Sequence, residues 1–311
     1  MTARTPNTFI VGGGPVATAL AGALRLGGVP VLGLWVRRPE AARAAARDSG
    51  VAAFSAAPPD LLLEADVVVV AVNDDAIPEV ASTLVQTGLI TRRHVMLHCA
   101  GGLAAKDAFA GISKAVGGIG TLHPLRAIAD GRRAMRQLRD TVFGIEGDDS
   151  GRAMARALVG CIGGSAIELS GEEMVAYHAA AAVASNYLVV LMDVAQEILA
   201  AAGVEGEAGL AALLALAEGT LDNVRERGVA GGLTGPVRRG DADTVARHVA
   251  RLTALSPEVA EIYRLLGRRA VTLTGRIESG EVVDKKRLAA VMDALADFPG
   301  SATLDSARAG R

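Results

Sequence analysis

Phe9-Ile10-Val11-Gly12-Gly13-Gly14-Pro15-Val16-Ala17 is the stretch whose reading decides the fold. An apolar run ends in three glycines and continues into a helical series. Gly12, Gly14 and Ala17 fit the pattern G-x-G-x-x-G/A. The first glycine of that pattern permits a tight strand-to-helix turn. The second lets backbone approach a pyrophosphate, and the small third residue lets helix and strand pack closely. Amides at the helix N-terminus then face the phosphates. Chains rich in Gly and Ala produce this spacing by chance, and a purely structural turn is the alternative. The position between a strand and a helix favours dinucleotide binding. Gly12, Gly13, Gly14, Pro15, Val16 and Ala17 are its predicted contacts.

Strands and helices alternate outward from this stretch. Thr8–Val11 reads as the first strand and Pro15–Leu26 as the first helix. Val31–Val36 is a second strand, Pro39–Asp48 a helix with Pro in its first turn, and Val51–Phe54 a short third strand. Asp66–Val72 carries an unbroken Val run, which means burial on both faces, as in a parallel sheet. Asp75–Leu84 follows as a helix, then strands at Val95–His98 and Gly118–Thr121. A doubly wound α/β sheet is the expected fold. Beyond residue 140 come a strand at Thr141–Ile145, a helix at Gly151–Ile162 and a last strand at Ala166–Leu169. From Gly171 the chain is nearly all helical. Glu172–Ala202 contains no Pro or Gly and reads as one helix of roughly 45 Å at 1.5 Å per residue. Further helices are predicted at Glu207–Arg227, Asp241–Leu255, Glu258–Gly275 and Lys285–Leu295. The expected domains are 1–170, of Rossmann type, and 171–311, helical, with a disordered tail at 300–311.

The 311 residues suffice for two domains. Half are hydrophobic but only 3% aromatic, so the core must be built from Ala, Val and Leu. A formal charge of −2 leaves no basic footprint for nucleic acid. Two cysteines, Cys99 and Cys161, suit a reducing compartment. The opening MTARTPN is polar and too short for a signal peptide. The most apolar stretch, Ala179–Val194, holds Ser185, Asn186 and Asp193 and reads as a buried helix rather than a membrane span. Cytoplasmic localisation is expected.

The end of the second strand discriminates between nicotinamide cofactors. An NAD site places a carboxylate there for the ribose hydroxyls. This chain has Arg37 and Arg38, which suit a 2′-phosphate, so NADP is expected over NAD. The alternative is two solvated surface charges. Val72, Asn73 and Asp74 lie at a strand C-terminus, where open α/β sheets bind ligands. Asp75 reads more simply as a helix cap. His98 ends a strand and runs into Cys99-Ala100-Gly101-Gly102. Facing the nicotinamide and bracing a turn are equally open readings for it, and Gly101 is the accompanying backbone contact. His123, before Pro124, either meets a substrate carboxylate or braces the turn. Cys99 has no activating partner, and no metal-ligand spacing stands out among the histidines.

His178, Ala182, Ser185, Asn186 and Val189 share one helix face. Their surroundings are apolar, so the polar members are expected to be buried. Buried polar groups need partners or cost about 1–3 kcal/mol each. A helix lining a cleft offers them a ligand. His178 is then the candidate proton donor. Asn186 or Ser185 would hold a substrate carbonyl or imine. A core histidine and a helix–helix hydrogen bond are the alternative, and Tyr177 and Tyr187 read as packing residues. Leu233–Asp241, LTGPVRRGD, is either a Gly/Pro turn that meets an anionic substrate or an exposed basic linker.

Six motifs in order carry a family resemblance: FIVGGGPVA, VVVVAVNDDAI, LHCAGG, TLHPLRAI, YHAAAAVASNYLV and LTGPVRRGD. With them the chain resembles the bacterial Rossmann-like proteins whose helical second domain is of unknown function. These are grouped with the 6-phosphogluconate dehydrogenase C-terminal-domain-like enzymes. Wider relatives are ketopantoate reductase, pyrroline-5-carboxylate reductase, 3-hydroxyisobutyrate dehydrogenase and prephenate dehydrogenase. The resemblance implies dimerisation through the helical domain. It also implies a Lys, with an Asn one turn later, on that domain's first long helix. Here the sequence departs, with His178 in the lysine's place and Asn186 two turns on. The resulting expectation is an NADP-dependent oxidoreductase moving hydride to or from a small C=O or C=N substrate in the interdomain cleft. A non-catalytic NADP-binding sensor is the alternative.

Overall fold

The structure is a computed structural model that describes residues 5–276 and 284–296. The tail at 300–311, expected to be disordered, lies outside the described residues.

β1 (Thr8–Val11) leads into α1 (Pro15–Leu26), followed by β2 (Val31–Trp35), α2 (Pro39–Ser49) and β3 (Ala53–Phe54). β4 (Val67–Val70), α3 (Ile77–Gln86), β5 (Val95–His98), α4 (Ala105–Ala108) and β6 (Gly118–Pro124) come next. α5 (Gly131–Gln137), β7 (Val142–Gly147), α6 (Asp149–Ile162) and β8 (Ser165–Glu168) complete the sheet region. The rest is helical: α7 (Met174–Ala184), α8 (Asn186–Ala200), α9 (Gly206–Gly231), α10 (Gly235–Arg239), α11 (Ala242–Leu255), α12 (Pro257–Thr274) and α13 (Lys285–Ala294).

The described strands form one sheet in the order β3-β2-β1-β4-β5-β6-β7-β8. The first six run parallel, and β7 enters antiparallel to β6 with β8 parallel to it. The chain leaves β1 toward one edge, returns, and continues from β4 toward the other. The strand order therefore reverses between β1 and β4. The Val run explains the central place of β4. Val67 and Val69 face one core layer, with α1 and α6, while Val68 and Val70 face the other, with α3 and α4. All four are fully buried. Burial of a valine side chain is worth about 1.5–3 kcal/mol, so a strand of four finds its place inside, covered on both sides.

The chain divides into two compact units, one up to Asn186 and the other from Tyr187 on. α7 packs with the first unit, where Tyr177 and His178 meet residues of the sheet. Within the second unit, Val237, Val245, Val249, Val271, Val291 and Leu295 form a core between α10, α11, α12 and α13. LTGPVRRGD is not a plain turn. Its middle is the short helix α10, and its Asp241 caps α11 by accepting from the Thr244 amide.

Two expectations about the long apolar helix change. It is interrupted at Ser185, whose φ of −118° and ψ of −67° separate α7 from α8. Ser and Asn side chains compete for backbone hydrogen bonds, which makes Ser185-Asn186 a weak point in an otherwise Ala/Val-rich helix. The helix is also not buried. Among the described residues, Met174–Ala200 is long and apolar enough to cross a membrane by length and composition, yet only 6% of its most apolar window is buried.

Candidate functional site

β1 and β4 end side by side at the reversal of strand order, which is where open α/β sheets bind ligands. A groove of about 500 Å³ lies there. Gly12, Gly13, Gly14, Pro15 and Val16 line it, together with Arg37, Arg38, Val72, Asn73 and Asp74. Gly12 has a φ of +134°, and a Cβ there would stand 2.1 Å from the Ala71 carbonyl oxygen. Only glycine fits this turn. Ala17 is fully buried behind it and packs the helix onto the strand. A Cβ on Gly13 would meet Val36 at 2.6 Å, so its absence lets the end of β2 lie against the turn. That close approach brings Arg37 and Arg38 to the rim of the same groove.

The residues present fit a dinucleotide. α1 opens at Gly14 with no side-chain cap and no acidic residue in its first turn. Its leading amides are therefore unclaimed, and no acidic side chain in its first turn opposes a phosphate. A Cβ on Gly14 would meet nothing within 4 Å, so this backbone faces open space. Arg37 and Arg38 are exposed. Asp75 does not cap a helix as expected: neither the turn at Asp74–Ala76 nor α3 has a side-chain cap. Asp74 acts instead on Cys99, which also lines the groove. Burial first, and then the Asp74 carboxylate, push the Cys99 thiol up to about 12. It stays protonated and is no nucleophile.

His98 does not face the groove. Its side chain is fully buried. Nδ1 accepts from the Ala100 amide at 3.2 Å, and Nε2 pairs with Thr121 Oγ1 at 3.0 Å. Burial, followed by the nearby His123, lowers its pKa to about 4. It is a neutral bracing histidine. Gly101, an expected cofactor contact, lies under two other rings. A Cβ there would be 2.6 Å from His178 Nδ1 and 2.7 Å from His123 Nε2. Those rings stand edge to face with centroids 5.8 Å apart.

Tyr177 completes this group and is more than a packing residue. Its hydroxyl lies 3.0 Å from His123 Nδ1. The Gly144 backbone also reaches the phenol oxygen, and a Cβ on Gly144 would collide with the ring at 2.7 Å. When the phenol donates to His123 Nδ1, the ring proton of neutral His123 sits on Nε2, on the Gly101 side. Burial and then His178 lower the His123 pKa to about 4, so it is neutral at pH 7 and still offers an N–H. His178 is exposed rather than buried. Ser185 is half-buried and Asn186 exposed. They stand seven and eight residues beyond His178, about 10–12 Å along the helix, and do not join the histidines. Adjacency to His178 was the available signal for Tyr177. None marked Thr121.

Residues 8–95 match the family described as NADP oxidoreductase, coenzyme F420-dependent, and residues 141–270 match a domain family of unknown function. A solved protein of Thermotoga maritima is 26% identical, with a TM-score of 0.67 over 86% of this chain and 98% of its own. A pyrroline-5-carboxylate reductase from Coxiella burnetii is 20% identical, with a TM-score of 0.57 over 87% and 99%. The pyrroline carboxylate reductase of Plasmodium falciparum, solved with NADP bound, is 12% identical, with a TM-score of 0.56 over 86% and 98%. At such identities the last two show a shared fold. No curated protein matches the chain in sequence.

Proposed function

We propose that this chain, which joins a nucleotide domain of the NADP oxidoreductase family to a helical domain of the unknown-function family, is an NADP-dependent reductase of a small C=O or C=N compound. One observation carries the reading: the groove and the histidine pair share a loop. Cys99 lines the groove, and Gly101, two residues on, lies beneath His123 and His178. Bound in the groove, NADPH supplies the hydride. The α1 amides hold its phosphates, and Arg37 and Arg38 hold the 2′-phosphate that NADH lacks. His123, kept neutral and oriented by Tyr177, donates a hydrogen bond from Nε2 to the substrate oxygen or nitrogen. His178, exposed and without a hydrogen-bond partner among the described residues, delivers the proton that balances the hydride. Ser185 and Asn186 lie further along the helix, as contacts for the more distant part of a substrate.

His178→Ala is expected to lower turnover by about 10²–10⁴-fold and to leave NADPH binding intact. The assay follows NADPH oxidation over keto acids, aldehydes, cyclic imines and coenzyme F420, the last because the family description names it. Unchanged turnover removes His178 from the mechanism. Tight NADPH binding without turnover on any substrate supports the sensor alternative.

The exposed apolar side chains of α7, α8 and α9 are the proposed contacts of a homodimer. Val175, Val183 and Val189 are 68%, 59% and 69% exposed. A second copy covers such side chains better than lipid does, because Ser185 interrupts the apolar sequence and Asp193 and Glu197 lie within it. Both cysteines are free thiols, which suits a cytoplasmic protein.

A further inference from the structure

A row of buried polar side chains crosses three strands beneath the histidine pair. His98 on β5 stands opposite Thr121 on β6, and Thr121 opposite Glu146 on β7. His98 and Thr121 are fully buried, and Glu146 is 7% exposed. Polar groups so deep in a sheet are costly unless each finds a partner.

The hydrogen bonds of this row allow one direction only. The Ala100 amide donates to His98 Nδ1 at 3.2 Å, so the ring proton of the neutral histidine sits on Nε2. Nε2 then donates to Thr121 Oγ1 at 3.0 Å. The threonine hydroxyl has its own proton left, and it donates to Glu146 Oε2 at 3.3 Å. The same carboxyl oxygen accepts from the Ala105 amide at 2.8 Å. The row therefore begins at the amide of residue 100 and ends at that of residue 105. These residues bracket the segment holding Gly101 and Gly102, which lies under His123 and His178.

We infer that Thr121 and Glu146 are positioning residues that act through His98, fixing both ends of the Ala100–Ala105 loop and thereby the floor on which His123 and His178 sit. For its kinetic consequence this rests on the reductase reading; for its geometry it does not. Thr121 carries the most information, because its hydroxyl alone passes the direction of the row from ring to carboxyl. Valine has nearly the same shape but ends the row at His98. Serine keeps the hydroxyl. Glu146→Gln alters the acceptor end and leaves the ring and hydroxyl in place.

The test measures the His98 ring nitrogens by nitrogen-15 NMR together with steady-state NADPH oxidation. In the wild type the His98 resonances should report the Nε2–H tautomer. Thr121→Val should keep the Nε2–H tautomer, which the Ala100 amide fixes, but strip Nε2–H of its acceptor and shift its nitrogen resonance, and should lower kcat by about 10–100-fold, with KM for NADPH within about twofold. Thr121→Ser should restore both signals. Glu146→Gln should lower kcat in the same sense as Thr121→Val. A folded Thr121→Val protein with an unchanged His98 Nε2 resonance, or one with a shifted resonance and unchanged kcat, overturns the inference. Loss of kcat that Thr121→Ser fails to restore does so too. If the wild type turns over no substrate, the reductase reading fails, and the His98 Nε2 resonance in Thr121→Val still decides whether the row exists.

Discussion

At the scale of single residues, His98 and His94 link the fold to pH. His94 is fully buried, with Nε2 on the Leu62 carbonyl and Nδ1 near Thr91. Burial lowers its pKa below the ordinary 6.5, and that of His98 falls to about 4. Below pH 6.5 the unfolded chain takes up protons that the folded chain refuses. Stability is then fully present above 6.5 and is lost as pH falls toward 4. His98 alone accounts for about 3 kcal/mol over that window, at 1.36 kcal/mol per pH unit. Urea unfolding at pH 7.5 and pH 4.5 should show a loss of that order beyond the loss in His98→Gln, which cannot titrate there. Equal losses in the two proteins contradict this account of His98. The glycines of the turn and the two arginines at the groove rim were placed correctly from the sequence, because local backbone geometry and strand order put them there. Thr121 and Glu146 were not, because their relation to His98 exists only in the strand register.

At the scale of elements, the clearest signals were local. Pro at a first helical position and short apolar runs placed β1, α1 and β5 to the residue, and the Val run located β4 within two residues at its end. α4, α5 and α10 are too short to show an apolar period. The antiparallel entry of β7 depends on which neighbour it finds. The long helix teaches a different lesson. Its composition implies burial, but burial within one chain was an added assumption. Val175, Val183 and Val189 are left exposed, and a second copy is the proposed cover. Light scattering should then give the mass of two chains. Val189→Asp should weaken the dimer by roughly 3 kcal/mol, or about 100-fold in affinity. A monomeric wild type at micromolar concentration contradicts the interface.

At the scale of the molecule, the nucleotide domain, its groove and the helical second domain were all readable from strand–helix alternation and the change of pattern beyond residue 140. The reaction was less readable. The set that matters, His123, Tyr177 and His178 over Gly101, joins positions from three separate motifs. The central claim is that the groove holds NADPH through Arg37 and Arg38. Calorimetric titration with NADPH and NADH tests it most directly, on the wild type and on the double variant Arg37→Ala, Arg38→Ala. The account predicts NADPH bound at least about tenfold more tightly than NADH by the wild type, with the preference gone in the double variant. NADH binding as tight as NADPH in the wild type, or a preference that survives loss of both arginines, contradicts it.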